Sequence, residues 1–225
     1  MTRAVLFDTE TTGLEPHLGH RIIEVAALEL INDLPTGRHF HALINPGRDI
    51  PEEATRVHGF TAAHLSDKPG FSAIASDLLD FFGDGKLIAH NAPFDFGFLN
   101  AEFALSGLAC LDLARMVDTL ELAQKRFPGM PNSLDALCRR FGIDLSSRST
   151  HNALLDCKLL AEVYLELTGG RQRGLLLETR RDAEPILTYT STSVRSPRPI
   201  VPTEAELSAH SRLLDRLKEP LWRKA

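Results

Sequence analysis

The sequence predicts an α/β layered domain, a mixed sheet flanked by helices, followed by a flexible C-terminal tail. Strand-like apolar runs open the chain, helical spacing takes over from Pro51, and Lys86-Leu87-Ile88-Ala89 returns to strand character between helices. Past Gly170 the composition shifts, and residues 188–203 become rich in Thr, Ser and Pro with no periodic apolar pattern.

Taken in order, Ala4-Val5-Leu6-Phe7 reads as a buried strand running up to Asp8, with a turn at Gly13. Residues 21–32 form a long second strand, with Ile22, Ile23, Val25, Leu28 and Leu30 apolar, and 38–44 a third, ended by Asn45-Pro46-Gly47. Short turns between the three suggest an antiparallel meander. His39 and His41 share one face of the third strand. An H-x-H pair can bind zinc, but no acidic or cysteine residue is near in sequence, so an exposed strand face is expected. Pro51-Glu52-Glu53-Ala54 places proline and acids where a first helical turn favours them. Val57-His58-Gly59 ends that helix, and Thr61 can cap the next. Residues 71–82 carry apolar side chains at helical spacing up to Gly83. Pro93 opens a further helix with Phe96, Phe98, Leu99, Phe103 and Leu105 on its core side. Met116-Val117-Asp118-Thr119 begins or precedes another, closed by Phe127-Pro128-Gly129. Asn132 and Ser133 cap 134–141, and Gly142 ends it. The last helix of the domain is expected to run from His151 to Leu167. In the tail, 204–217 recovers helical spacing, and the chain's single Trp follows at Trp222. So short an amphipathic element is expected to dock on a partner.

Composition narrows the function. With 225 residues and 43% hydrophobic content, the chain can bury one sizeable core plus an appendage. No apolar run reaches transmembrane length, and Met1-Thr2-Arg3 leads into the first strand without a signal-peptide stretch, so a cytoplasmic protein with no membrane partner is expected. Cys110, Cys138 and Cys157 are odd in number and lack C-x-x-C spacing, which argues against a disulfide framework or zinc site. Cys138 and Cys157 fall in helical patterns and are expected as buried thiols. Residues 171–225 hold eleven basic and seven acidic residues, leaving 14 basic and 23 acidic in residues 1–170, a balance of −9. Such a domain lacks the basic surface of a non-specific nucleic-acid binder.

The acids carry the chemistry. Asp8 and Glu10 are two residues apart, so in extended chain they leave one face of the sheet. Like charges so close repel unless a cation sits between them, and a hard divalent ion is the natural partner. Asp95 starts a helix after a strand, Asp156 lies within the last helix, and His151 is five residues before it. Four carboxylates and one His are what two-metal phosphoryl transfer requires. The His, with an ordinary pKa of about 6.5, can take the water's proton near neutral pH.

Phe-Asp-Thr-Glu-Thr-Thr-Gly at 7–13, His-Asn-Ala-Pro-Phe-Asp at 90–95 and His-Asn-Ala-Leu-Leu-Asp at 151–156 resemble, in order, the three motifs of the DEDDh 3′→5′ exonucleases. Val57-His58-Gly59, Phe127-Pro128-Gly129, residues 132–138 and 161–165 resemble one branch of that family, the proofreading epsilon subunits of bacterial DNA polymerase III. The likeness covers about residues 4–170 and returns at Leu221-Trp222-Arg223, with no departure at the five catalytic positions. It implies an RNase H-like exonuclease fold and two Mg²⁺ or Mn²⁺ ions held by Asp8, Glu10, Asp95 and Asp156, with His151 as general base. It also implies substrate contact by Asp8, Glu10, Asp156, Glu53 and His58. Asp118 and Asp135 lie outside the motifs and are expected as surface or capping residues.

The resemblance further implies a 1–170 exonuclease domain, a 171–203 linker and a 204–225 tail that binds the polymerase III catalytic (alpha) subunit. Gln172-Arg173-Gly174-Leu175-Leu176-Leu177 resembles a sliding-clamp-binding peptide, and a plain loop is the alternative. The implied function is removal of mispaired 3′ nucleotides from DNA as 5′-monophosphates in the bacterial cytoplasm. A free-standing relative that trims RNA or oligonucleotides, and an inactive adaptor between polymerase and clamp, are the rivals. The motifs alone do not separate DNA from RNA substrates.

Overall fold

In the computed structural model, which describes residues 2–146, 150–169, 199, 201–220 and 222, the first strand is central in a five-stranded sheet. β1 (Arg3–Thr11), β2 (Ile22–Ile31), β3 (Leu34–Leu43), β4 (Lys86–Ala89) and β5 (Met116–Asp118) lie in the order β3-β2-β1-β4-β5. The first three pair as the expected antiparallel meander, while β4 and β5 run parallel to β1, so the sheet is mixed.

Three strand readings change. β1 does not stop at Asp8 but continues to Thr11, so Asp8 and Glu10 both stand within it. β3 begins at Leu34, because Asn32 (φ 51°) and Asp33 (φ 65°) make a two-residue reversal of the left-handed kind that hairpins favour. Pro35 and Gly37 hid that start; proline is tolerated there because β3 is an edge strand. Of the two openings left at Met116-Val117-Asp118-Thr119, the segment precedes the helix, which starts at Thr119. Met116–Asp118 before it is a fifth strand, too short to show an alternation of its own.

The strand period of two sends successive residues of β1 to opposite faces. Val5 and Phe7 join Val25, Ala27 and Leu87 in one apolar cluster with residues of α3 (Phe71–Phe82) and α4 (Ala92–Leu105). Phe7 meets Phe82 and Phe96 with ring centroids 5.3 and 5.8 Å apart. Burying such a ring contributes about 1.5–3 kcal/mol. Leu6 joins Ala26, Leu28 and Ile88 in a second cluster with α5 (Thr119–Arg126), α6 (Leu134–Phe141) and α7 (Ala153–Leu167). Cys138 and Cys157 are buried free thiols in it, as expected. Leu105 is not on the core side of α4. It is 71% exposed, since the helix ends there, at the domain surface. The final helix begins at Ala153, after Asn152, whose Oδ1 accepts from Leu155 N at 3.1 Å; His151 therefore precedes the helix rather than opening it. α1 (Glu52–His58) and α2 (Ala62–Leu65) lie between β3 and α3.

The chain divides into two units, Met1–Leu176 and Leu177–Ala225. In the second, α8 (Glu204–Arg216) opens on a reciprocal cap: Glu206 N donates to Thr203 Oγ1 and Thr203 N to Glu206 Oε2. Trp222 is exposed and meets the His210 ring edge-on. The expected Gln172–Leu177 peptide and nearly all of the expected linker lie outside the described residues. Among the described residues no helix is long and apolar enough to cross a membrane.

Candidate active site

Because β1 and β4 are parallel, their carboxyl ends share one edge of the sheet, where open α/β sheets bind ligands. Asp8 and Glu10 reach that edge on the α7 side of β1, opposite Ala26 and Glu24 of β2. Asp95 arrives from the first turn of α4, directly after β4. Its Oδ1 accepts from Thr9 N at 3.1 Å and from Thr9 Oγ1 at 2.7 Å. Asp156 lies in the first turn of α7 and is 3% exposed. His151 Nδ1 stands 3.4 Å from Asp156 Oδ2 on a half-exposed ring. One donor atom each from Glu10, His151 and Asp156 lie within 4.8 Å of one another. The backbone N of His151 donates to Val57 O at 3.1 Å, tying this segment to α1.

The electrostatics are those of crowded acids. Burial, then the charges of Asp95, Glu10, Asp156 and Glu24, hold Asp8 well above the usual carboxylate range. Burial pushes Asp95 up to about 7 despite its Thr9 hydrogen bonds. Oxygen donors packed this way, with one imidazole beside them, fit hard divalent cations.

A cleft of about 570 Å³ borders Glu10, with Leu14 and Leu18 on one side, Glu53, Val57 and His58 of α1 on another, and Phe94 of α4. His58 Nδ1 accepts from Phe60 N at 3.0 Å, so the proton of the neutral ring sits on Nε2. Burial holds the His58 pKa below its ordinary value, and its buried Nε2 has no partner among the described residues. The loop after β1 is drawn closed by Thr12, whose Oγ1 accepts from Arg21 N, and by His20 Nδ1, which accepts from Glu15 N. Gly13 leaves room for the His20 ring: a Cβ on it would stand 2.6 Å from that ring and force it to shift.

Several residues at the site gave no signal in the sequence. Leu14, Leu18, Val57 and Phe94 line the cleft; apolar residues in the Gly13 loop, where no core is near in sequence, were the available hint for the first two. Glu24 is fully buried beside the site. His41 is exposed as expected, yet it does have an acidic neighbour, because β2 brings Glu24 Oε1 to 2.7 Å from its Nε2. Asp118 is a cap twice over, accepting at Oδ1 from Leu120 N and from Asn91 N, which fixes the start of α4 where Asn91 is left-handed (φ 63°). Asp135 pairs with Arg139 on the surface of α6.

The RNase T exonuclease family model matches residues 5–164. A DNA polymerase III subunit epsilon of Rickettsia conorii is 46% identical over 221 residues, 96% of both chains. The Salmonella typhimurium protein of that name is 40% identical, covering 99% of this chain and 98% of its own. Among solved structures, exonuclease X in complex with 5′ overhanging duplex DNA has 26% identity and a TM-score of 0.58, over 75% of this chain and 92% of its own. On its fold and on these matches, the chain belongs to the RNase T (DEDDh) exonuclease family.

Proposed function

We propose that this 3′→5′ exonuclease is the proofreading epsilon subunit of a bacterial DNA polymerase III, working in the cytoplasm on the 3′ end of DNA. The observation that carries the assignment is the extent of the likeness to epsilon subunits, which continues through the tail, whereas the exonuclease X match is confined to three quarters of the chain. Asp8, Glu10, Asp95 and Asp156 are assigned to hold two divalent ions, Mg²⁺ or Mn²⁺. Such ions, when bound, offset charge on the scissile phosphate and lower the pKa of the attacking water.

The chain's own residues do the rest. Leu14, Leu18, Val57 and Phe94 give the cleft apolar walls on which an unpaired base can lie, so a frayed end enters more readily than a paired one. His58 donates its Nε2 proton to an acceptor of the bound nucleotide, and Glu53 lines the same wall. His151 takes the water's proton. The imidazolium formed is stabilised by Asp156 3.4 Å away, and the half-exposed ring returns the proton to solvent. The tail, residues 204–225, is assigned to the polymerase catalytic (alpha) subunit, and Gln172–Leu177 to the sliding clamp. Tethering raises effective concentration, which an acidic domain with little affinity for free DNA requires.

The test is digestion of 5′-labelled DNA with a matched or mispaired 3′ end, alongside an RNA strand, with Mg²⁺ and with or without polymerase subunit. Stepwise shortening, faster on the mispair, raised by polymerase and absent from the Asp8→Ala/Glu10→Ala double variant, is the expected result. Preference for RNA with no polymerase effect would move the protein to the free-standing class. Unchanged digestion by the double variant would overturn the site.

A further inference from the structure

The segment that carries His151 and Asp156 is anchored on a residue outside the catalytic motifs. Glu24 of β2 is fully buried, and three donors converge on its carboxylate. Asn152 Nδ2 and His41 Nε2 donate to Oε1 at 2.9 and 2.7 Å, and Ala153 N donates to Oε2 at 3.1 Å. Ala153 is the first residue of α7, so its N–H has no partner within the helix and Glu24 supplies one from the neighbouring strand. The same side chain holds Asn152, whose Oδ1 caps Leu155 N, so one carboxylate and one amide together close the start of α7. A negative group at a helix N-terminus is also favoured by the helix dipole. His151 is the residue before this cap and Asp156 lies one turn after it, with Asp156 N bonded to Asn152 O.

We propose that Glu24, held by His41, is the positioning residue that fixes the start of α7 and thereby sets the placement of His151 and Asp156. The inference rests on the roles assigned to those two residues above. A glutamine cannot replace Glu24, because its one acceptor oxygen leaves a donor amide facing at least one of the three donors. His41 lies on β3 opposite Ala26, a residue of the sheet face that α7 covers, and its ring holds the carboxylate from the neighbouring strand. Glu24 is fully buried and does not line the cleft, so its loss lowers turnover and leaves the cleft walls intact.

The experiment compares wild type with Glu24→Gln, His41→Ala and His41→Gln in the full chain, and with Asp156→Ala as reference. kcat and KM are measured on 5′-labelled single-stranded DNA with Mn²⁺, and amide hydrogen exchange is measured on the metal-free proteins. Misplacing a catalytic group by about 1 Å can cost about a hundredfold, so Glu24→Gln, which disturbs only the start of α7, lowers kcat roughly ten- to a hundredfold while KM stays within about twofold. The Ala153 amide exchanges at least about tenfold faster, while that of Leu160, deep in α7, is unchanged. His41→Ala lowers kcat several-fold and His41→Gln, which retains a donor, restores it. Wild-type kcat in Glu24→Gln, or equal loss of protection at Ala153 and Leu160, overturns the proposal. If Glu24→Gln does not fold, the His41 pair decides, and wild-type kcat in His41→Ala overturns it. An active Asp156→Ala would instead remove the assignment on which the inference rests, a result separate from either.

Discussion

Asp95 is a carboxyl group held near neutrality by burial, its pKa pushed up to about 7, and that makes the metal-free protein sensitive to pH. A carboxyl whose folded pKa lies above its unfolded value binds more protons when folded. The stability it contributes is therefore present at low pH and lost as pH rises from the ordinary 3.8 through about 7. Asp8 has the same sign. His58, buried, and His90, half-buried, are held below their ordinary values and have the opposite sign, so the comparison must be a difference. In EDTA, Asp95→Asn is expected to raise the melting temperature, and by more at pH 8 than at pH 5, in thermal scans against wild type. An equal gain at both values would remove Asp95 as the source. Under the proposed assignment of Asp95 to a divalent ion, Mg²⁺ is expected to reverse the order, since a ligand carboxylate must be ionised, and apparent Mg²⁺ affinity is expected to weaken as pH falls below about 7.

At the level of single elements, the loop after β1 and helix α1 share the work of shaping the cleft. Leu14 and Leu18 remain 76% and 64% exposed, an apolar surface with no packing role inside the domain. Their placement depends on the close approach of Gly13 to His20, and on the bonds from Thr11 Oγ1 to Gly13 O and from Glu15 N to His20 Nδ1. Gly13→Ala forces the His20 ring away and releases the second of these. KM for single-stranded DNA is expected to rise about tenfold, with a smaller change in kcat and little change in melting temperature. Steady-state kinetics on a labelled oligonucleotide decide this, and an unchanged KM would mean that the loop does not hold the substrate.

For the molecule as a whole, charge and division into units point the same way. Residues 1–170 carry a net charge of −9 and the remainder +4. The catalytic unit has little electrostatic attraction for free DNA, and α8 with Trp222 belongs to the other unit. A chain cut after Leu176 is expected to keep nearly full activity on single-stranded DNA and to lose its stimulation by the polymerase subunit. Digestion of the mispaired substrate by both forms, with and without that subunit, tests this. Loss of basal activity on truncation would show that the tail belongs to the catalytic fold.

How far these properties could be read from residues alone differs by kind. The pairing of Asp8 with Glu10 on one sheet face follows from a period of two, and the limits of α3 and α6 follow from Gly83, Ser133 and Gly142, all signals spanning a few residues. Motif order placed Asp95, His151 and Asp156 in one group, and the structure brings that group to one sheet edge. The fifth strand, the exposure of Leu105 and the entry of His151 from outside α7 could not be seen, because each depends on where a neighbouring element ends or packs. Glu24 shows the division most plainly. In sequence it is one acid within an apolar run, and its donors Asn152 and Ala153 are 128 and 129 positions away. Local patterning determined the elements and the chemistry they bear. Which buried carboxylate meets which helix end was decided only when the sheet and α7 packed together, since a buried polar group takes its partners from whatever element covers it.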